Sequence, residues 1–170
     1  MVRDLIVYPT VLSLEFAKDV RCFNDELFAL IEDLKDTINE NNLDGLSAFQ
    51  IGNSYNVVLV KQDESTLLEM INPRLISYNG RVTAQESTAY YPGLTAITER
   101  YETIKVVYQD RDGNDKSLEV TGSLAIVIQR KIDYTFGATF IHKMSNNERK
   151  IFEKNLKKDE KSWLKRLLPL

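Results

Sequence analysis

Leu124-Ala125-Ile126-Val127-Ile128-Gln129-Arg130-Lys131-Ile132-Asp133-Tyr134-Thr135 sets Leu124, Ile128, Ile132 and Thr135 at helical spacing, with Ala125 and Val127 beside them. Residues three and four apart share one helix face, so the stretch reads as a buried helix, entered through Thr121 and Ser123 and closed by Gly137. On its N-terminal side the period changes. Thr103 to Tyr108 and Ser117 to Val120 read as a strand pair around Asp112-Gly113-Asn114. Arg74 to Tyr78 and Arg81 to Glu86 flank Asn79-Gly80, the dipeptide that best tolerates the positive φ of a tight hairpin turn. Asn56-Val57-Val58-Leu59-Val60 reads as a buried strand, preceded by a polar, glycine-punctuated loop over 41–52. Further out, Leu27, Leu30, Ile31, Leu34 and Ile38 predict a helix over about 25–40, with Asn24 as N-cap and Asp25 and Glu26 in its first turn. A last amphipathic helix carries Ile151, Phe152, Leu156, Trp163, Leu164 and Leu167. Strands in the middle, helices at both ends and short connections imply an α+β fold in one domain over 1–170.

Composition agrees. The chain has 170 residues, 43% of them apolar and 28% charged, which excludes disorder and collagen and gives enough interior for one core. The longest apolar runs are five residues, as in Leu124 to Ile128, where a bilayer span needs about 20. The opening Met1-Val2-Arg3-Asp4-Leu5-Ile6 has no apolar core of signal-peptide length, so a cytoplasmic location is expected. His142 and Cys22 are the single histidine and single cysteine, too few for the three nitrogen or sulfur ligands that zinc or catalytic ferrous iron usually takes. His142 reads as a surface or capping residue, and Cys22 as packing rather than chemistry. The net charge of −3 is uneven: Asn146 to Leu168 holds eight Lys and Arg against four Asp and Glu. That basic C-terminal helix, over 146–168, is either a solvated face or a contact surface.

Gly45-Leu46-Ser47-Ala48-Phe49-Gln50-Ile51-Gly52 is the first of three segments that together resemble the peptide deformylase family, and it is similar to that family's first motif, usually G-x-G-L-A-A-x-Q-x-G. Glu86-Ser87-Thr88-Ala89-Tyr90-Tyr91-Pro92-Gly93 keeps the frame of E-G-C-L-S-x-P-G. Ile128-Gln129-Arg130-Lys131-Ile132-Asp133-Tyr134 stands where the family has I-Q-H-E-x-D-H. Order and spacing agree over roughly residues 1–157. The resemblance implies antiparallel or mixed β-sheets around a central buried helix, and removal of the formyl group from the starting methionine of new polypeptides during translation. It also implies a divalent metal held by one Cys and two His, with a Glu as general base.

Here the ligand cysteine position is Thr88, the two histidine positions are Arg130 and Tyr134, and the glutamate position is Lys131. A guanidinium has a pKa above about 12 and offers no lone pair to a metal. The expectation is therefore a pseudoenzyme: no Fe, Zn or Ni, metal-dependent deformylation lost, and the fold and a peptide groove kept for binding or regulation. Two alternatives stay open: metal-independent hydrolysis of formyl-Met or another amide, or a structural protein with a closed groove. Arg130 either holds a formyl oxygen, carboxylate or phosphate, or fills the emptied cavity together with Lys131, paired with Glu86 or reaching solvent. Thr88 and Lys131 could form a nucleophile and base.

The resemblance carries other roles onto this chain. Gln50 and the backbone N–H of Ala89 match the two donors to the oxyanion, and Gly45, with Gln50, belongs to the expected peptide-binding corner. Ile126 and Val127 match positions lining the methionine pocket, or are plain helix core. Arg100 and Asp133 match a structural ion pair. Expected partners are N-terminal peptides and, through the lysines of the last helix, the ribosome; no DNA or membrane is expected. Ile151, Phe152 and Leu156 are expected to pack that helix on the body, and Trp163, Leu164, Leu167 and Leu168 to cover either the domain itself or a second subunit, as a homo-oligomer or partner contact.

Overall fold

The computed structural model describes residues 1–13 and 15–167, with side chains through 162. Helix α1 spans Asp25–Glu40, and Asn24 caps it by accepting a hydrogen bond from the Leu27 N–H at 3.3 Å. Strands follow at β1 Gly45–Ser47, β2 Val57–Lys61, β3 Leu67–Asn79, β4 Val82–Ser87, β5 Thr95–Arg100, β6 Thr103–Gln109 and β7 Asp115–Thr121. A 3₁₀ turn over Ala48–Ile51 lies between β1 and β2. Helix α2 spans Ser123–Thr135, a second 3₁₀ turn Phe140–Lys143, and α3 Asn146–Leu167. The named strands pair antiparallel throughout, in a five-stranded sheet of order β1-β2-β3-β6-β7 and a two-stranded sheet β4-β5. The fold is α+β.

β2 shows why the chain packs this way. Its first four residues, Val57 to Val60, are apolar without alternation because both faces are covered. Val57 and Leu59 point to Leu27, Ile31, Leu34 and Ile38 of α1, while Val58 and Val60 point to Ala125, Ile128 and Ile132 of α2. A third cluster joins Tyr90, Tyr91, Tyr134, Phe140 and Phe152, so α2 reaches the aromatic core through Tyr134 at its C-terminal end.

Four expectations are corrected. Asn79-Gly80 does not close a hairpin between 74–78 and 81–86. β3 pairs with β2 and β6, whereas β4 pairs with β5 in the other sheet, so the turn passes the chain between sheets. Gly80 still has a positive φ of 68°, and Glu102 stands 2.8 Å from where its Cβ would lie. The buried polar face of β4 explains the change: Glu86 needs Thr98 and Arg100, and those are on β5. α2 is entered at Gly122, with no side-chain cap from Thr121 or Ser123. Cys22 is exposed, not packed. Ile151 is 56% exposed. Phe152 and Leu156, four apart, form the docking stripe of α3, and Ile151 falls about 100° off it. Trp163, Leu164, Leu167 and Leu168, on which the expectation of a homo-oligomer rests, lie outside the described side chains. Among the described residues no helix is long and apolar enough to cross a membrane.

Candidate functional site

The three quoted segments meet at one cleft of about 380 Å³, lined by residues 42–45, 87–89, 92 and 93, and by Lys131. Gly45 opens β1 where the strand runs hard against its neighbour: a Cβ there would lie 2.6 Å from the carbonyl oxygen of Leu59. Just beyond it, Gln50 is almost completely buried in the 3₁₀ turn. Its Oε1 accepts from the Ser47 N–H at 3.0 Å, and this fixes the amide plane. Its Nε2 is buried with no partner among the described residues.

Opposite stands α2. Thr88 lines the cleft and its hydroxyl is hydrogen-bonded to that of Tyr134, which is fully buried and packed in the aromatic core. Burial raises the Tyr134 phenol well above its ordinary range, so it is a neutral hydrogen-bonding group. Arg130 is turned toward carboxylates: Nη1 donates to Glu86 Oε1 at 3.2 Å and Nη2 to Asp44 Oδ2. Lys131 is fully enclosed, with Nζ 3.6 Å from Asp44 Oδ1 and 5.7 Å from the Tyr134 ring centre. Burial pushes its amine down to about 8; Asp44 opposes that shift and Arg130 adds to it.

Arg100 joins the same network. It holds Glu86 through Nε to Oε2 at 2.7 Å and Nη2 to Oε1 at 3.0 Å, and Asp133 through Nη1 at 2.6 Å. Burial pushes both carboxyls up. For Glu86 the bonds and charges of Arg100, Thr98 and Arg130 outweigh that and hold it below its usual range. Asp133 stays raised, because burial exceeds what Arg100 offsets.

Thr88, Lys131, Gly45 and Ala89 therefore share one cleft, whereas Gln50, Arg130, Ile126 and Val127 are not among the residues that line it. Val127 packs in the core under the sheet. Thr88 donates to or accepts from Tyr134, and no Thr88–Lys131 hydrogen bond forms a nucleophile and base. Of the two readings of Arg130, the paired one is observed, with Asp44 as a second carboxylate. Sequence reasoning missed Asp44, which precedes the first motif by one residue and braces both cations of the third. His142 caps a turn, its Nδ1 accepting from the Thr139 N–H at 3.4 Å.

A family model described as Polypeptide deformylase matches residues 2–150. The chain belongs to the polypeptide deformylase family. It is 33% identical over 167 residues to the peptide deformylase of Wolinella succinogenes, covering 94% of this chain and 98% of that one. The Nautilia profundicola peptide deformylase is 31% identical, with 92% and 94% covered. Among solved structures, a peptide deformylase from Legionella pneumophila superposes with a TM-score of 0.87 at 27% identity, covering 99% of this chain and 100% of that one. A Synechococcus elongatus peptide deformylase in complex with actinonin gives 0.83 at 28%, with 90% and 85% covered.

These relatives overturn two expectations. Proteins about 30% identical over nearly the whole chain bear the name peptide deformylase, so they support a deformylase, and a loss of activity does not follow from the substituted motif positions. The expectation of no Fe, Zn or Ni falls as well, because the family is normally metal-dependent. The substituted positions are a separate matter of donor chemistry. Thr88, Arg130, Lys131 and Tyr134 do not make a ligand set for a divalent ion, since Arg130 has no lone pair and Thr88 and Tyr134 engage each other. Among the described residues no group of three or more His, Cys, Asp or Glu is placed to hold a metal ion.

Proposed function

We propose that this chain is a peptide deformylase, hydrolysing the N-formyl group of formyl-methionyl peptides to formate and a free amine. The observation that carries the reading is that the family's three motif segments, 45–52, 86–93 and 128–134, converge on one open cleft in a chain alike to deformylases along nearly its whole length. β1 lies at an edge of the five-stranded sheet and supplies one wall, so its outer backbone edge suits an extended peptide. Water addition turns the formyl carbon tetrahedral and puts negative charge on its oxygen. A donor already fixed in place stabilises that charge without reorganising. Gln50 is such a donor, braced through Oε1 and free at Nε2.

The test is formate release from a formyl-methionyl peptide by the full chain, as purified and after loading with Fe²⁺, Ni²⁺ or Zn²⁺, with metal content measured alongside. Formate in step with free amine is expected. Folded protein that releases none in any of these states would sink the reading. A cytoplasmic location belongs to the same proposal, as does ribosome contact through α3, whose Lys150, Lys154, Lys157, Lys158 and Lys161 are exposed. Salt-sensitive co-sedimentation with ribosomes checks that contact.

A further inference from the structure

Beside the cleft, ionised side chains alternate in sign along one continuous path. Arg100 lies between Asp133 and Glu86, at 2.6 and 2.7 Å. Arg130 lies between Glu86 and Asp44. Lys131 ends the path and, among the described residues, has a carboxylate within ion-pair distance on one side only. That carboxylate, Asp44, is 49% exposed and already shared with Arg130, and its 3.6 Å contact with Nζ is too long for a normal hydrogen bond. Each interior cation thus has two anions, while the one that lines the cleft has part of one.

The surroundings are rich in donors. Nζ carries three N–H groups. The Thr88 and Tyr134 hydroxyls hold two protons, of which their mutual bond uses one; with Tyr134 donating, Thr88 keeps an O–H for the cleft it lines. Behind the lining residues, Gln50 Nε2 and Arg130 Nε are buried donors without partners among the described residues. Buried donors without acceptors are uncommon and call for a reason.

We propose that the cleft in front of Lys131 binds a small monocarboxylate, with the ammonium of Lys131 as counter-charge and the hydroxyl of Thr88 as a hydrogen-bond donor. One negative charge continues the alternation, whereas a phosphate dianion brings two against a single part-compensated cation. Two oxygens in one plane can accept from an ammonium and a hydroxyl together. A cleft of about 380 Å³ holds a ligand of a few atoms without moving the backbone. The inference rests on the deformylase reading only in the choice of formate as first probe, since hydrolysing a formamide yields formate.

The test titrates ¹³C-formate into the full chain with no peptide present, following the ligand by NMR, with acetate, phosphate and chloride at matched ionic strength. Saturable one-to-one formate binding is expected, tighter than phosphate or chloride. Lys131→Met should weaken it about tenfold or more. Asp44→Asn should tighten it severalfold, because it removes the carboxylate that competes for Nζ; a general loss of folding cannot produce that opposite change. Formate binding no better than chloride, or unchanged in Asp44→Asn and in folded Lys131→Met, overturns the proposal. Formate binding without release of formate from peptides overturns the deformylase reading alone, and release without formate binding overturns this inference alone.

Discussion

Arg100 grips Glu86 through two parallel contacts, Nε to Oε2 at 2.7 Å and Nη2 to Oε1 at 3.0 Å, with both side chains only 1% exposed. Such a fork matches a carboxylate in geometry as well as charge, and it ties β5 to its neighbour β4. Because Asp133 also binds Arg100, the two-stranded sheet is pinned to α2 by ions rather than by apolar packing alone.

Breaking that fork from one side should be costly. Glu86→Ala leaves Arg100 with Asp133 alone and Arg130 with Asp44 alone, both buried. Removing one partner of a buried ion pair typically costs about 3–5 kcal/mol. Urea denaturation of Glu86→Ala should show a loss of that size, and Glu86→Leu combined with Arg100→Met should recover much of it. A Glu86→Ala loss below about 1 kcal/mol, the range of exposed pairs, would mean that the fork does not hold β4 and β5 together.

Lys131 gives a pH dependence of the same sign as a paired carboxylate, displaced to alkaline pH. Its folded pKa, pushed down by burial to about 8, lies below the roughly 10.4 of an unfolded lysine. Between those values the unfolded chain binds more protons than the folded one, so this group's contribution to stability rises with pH across the window. Below it the cost of burying an ammonium is paid in full. Lys131→Met should therefore stabilise the fold at pH 7, by on the order of 3 kcal/mol or less, with the advantage shrinking toward pH 10. Denaturation midpoints of both proteins at pH 7, 8, 9 and 10 check this, and a constant difference would refute it.

What could be read beforehand follows from how local each signal is. The period of α1 and α2, the buried run of β2 and the Asn24 cap are carried by neighbours in sequence. The three motif segments were likewise readable, and they meet at one cleft. The sheet exchange at Asn79-Gly80 was not readable, because a positive φ fixes the bend and not the strand that follows it to a partner. β5 was missed since Thr95–Arg100 alternates small and polar residues, and only the buried Glu86 explains why Thr98 and Arg100 turn inward. Asp44 escaped for a related reason: its partners, Arg130 and Lys131, lie more than 80 residues away. What it does is set by a charge balance that exists only in the folded chain.

Gly45 tests the wall of the cleft. A methyl group there would stand 2.6 Å from Leu59 O and 3.2 Å from Val60 Cα, both backbone atoms that cannot swing aside. Gly45→Ala must push β1 away from β2, and overpacking of this kind costs typically about 1–3 kcal/mol. The variant should melt earlier and, because Gly45 also lines the cleft, turn over peptide more slowly. An unchanged melting temperature would show that β1 yields freely.

Gln50 separates holding from donating. Its Oε1 accepts from Ser47 N–H at 3.0 Å while its Nε2 has no partner among the described residues, so the two halves of one amide do different work. Gln50→Glu keeps an oxygen for Ser47 and takes away the donor. Removing a fixed oxyanion donor lowers kcat by about 10²–10³-fold in comparable sites. If Nε2 stabilises the developing charge on the formyl oxygen, Gln50→Glu should lose kcat to that extent with KM little changed. Circular dichroism and melting would report whether the turn over Ala48–Ile51 is kept. A folded variant with wild-type kcat would leave the orphaned donor without a part in the reaction. A rise in KM alone would move it from the transition state to ground-state binding.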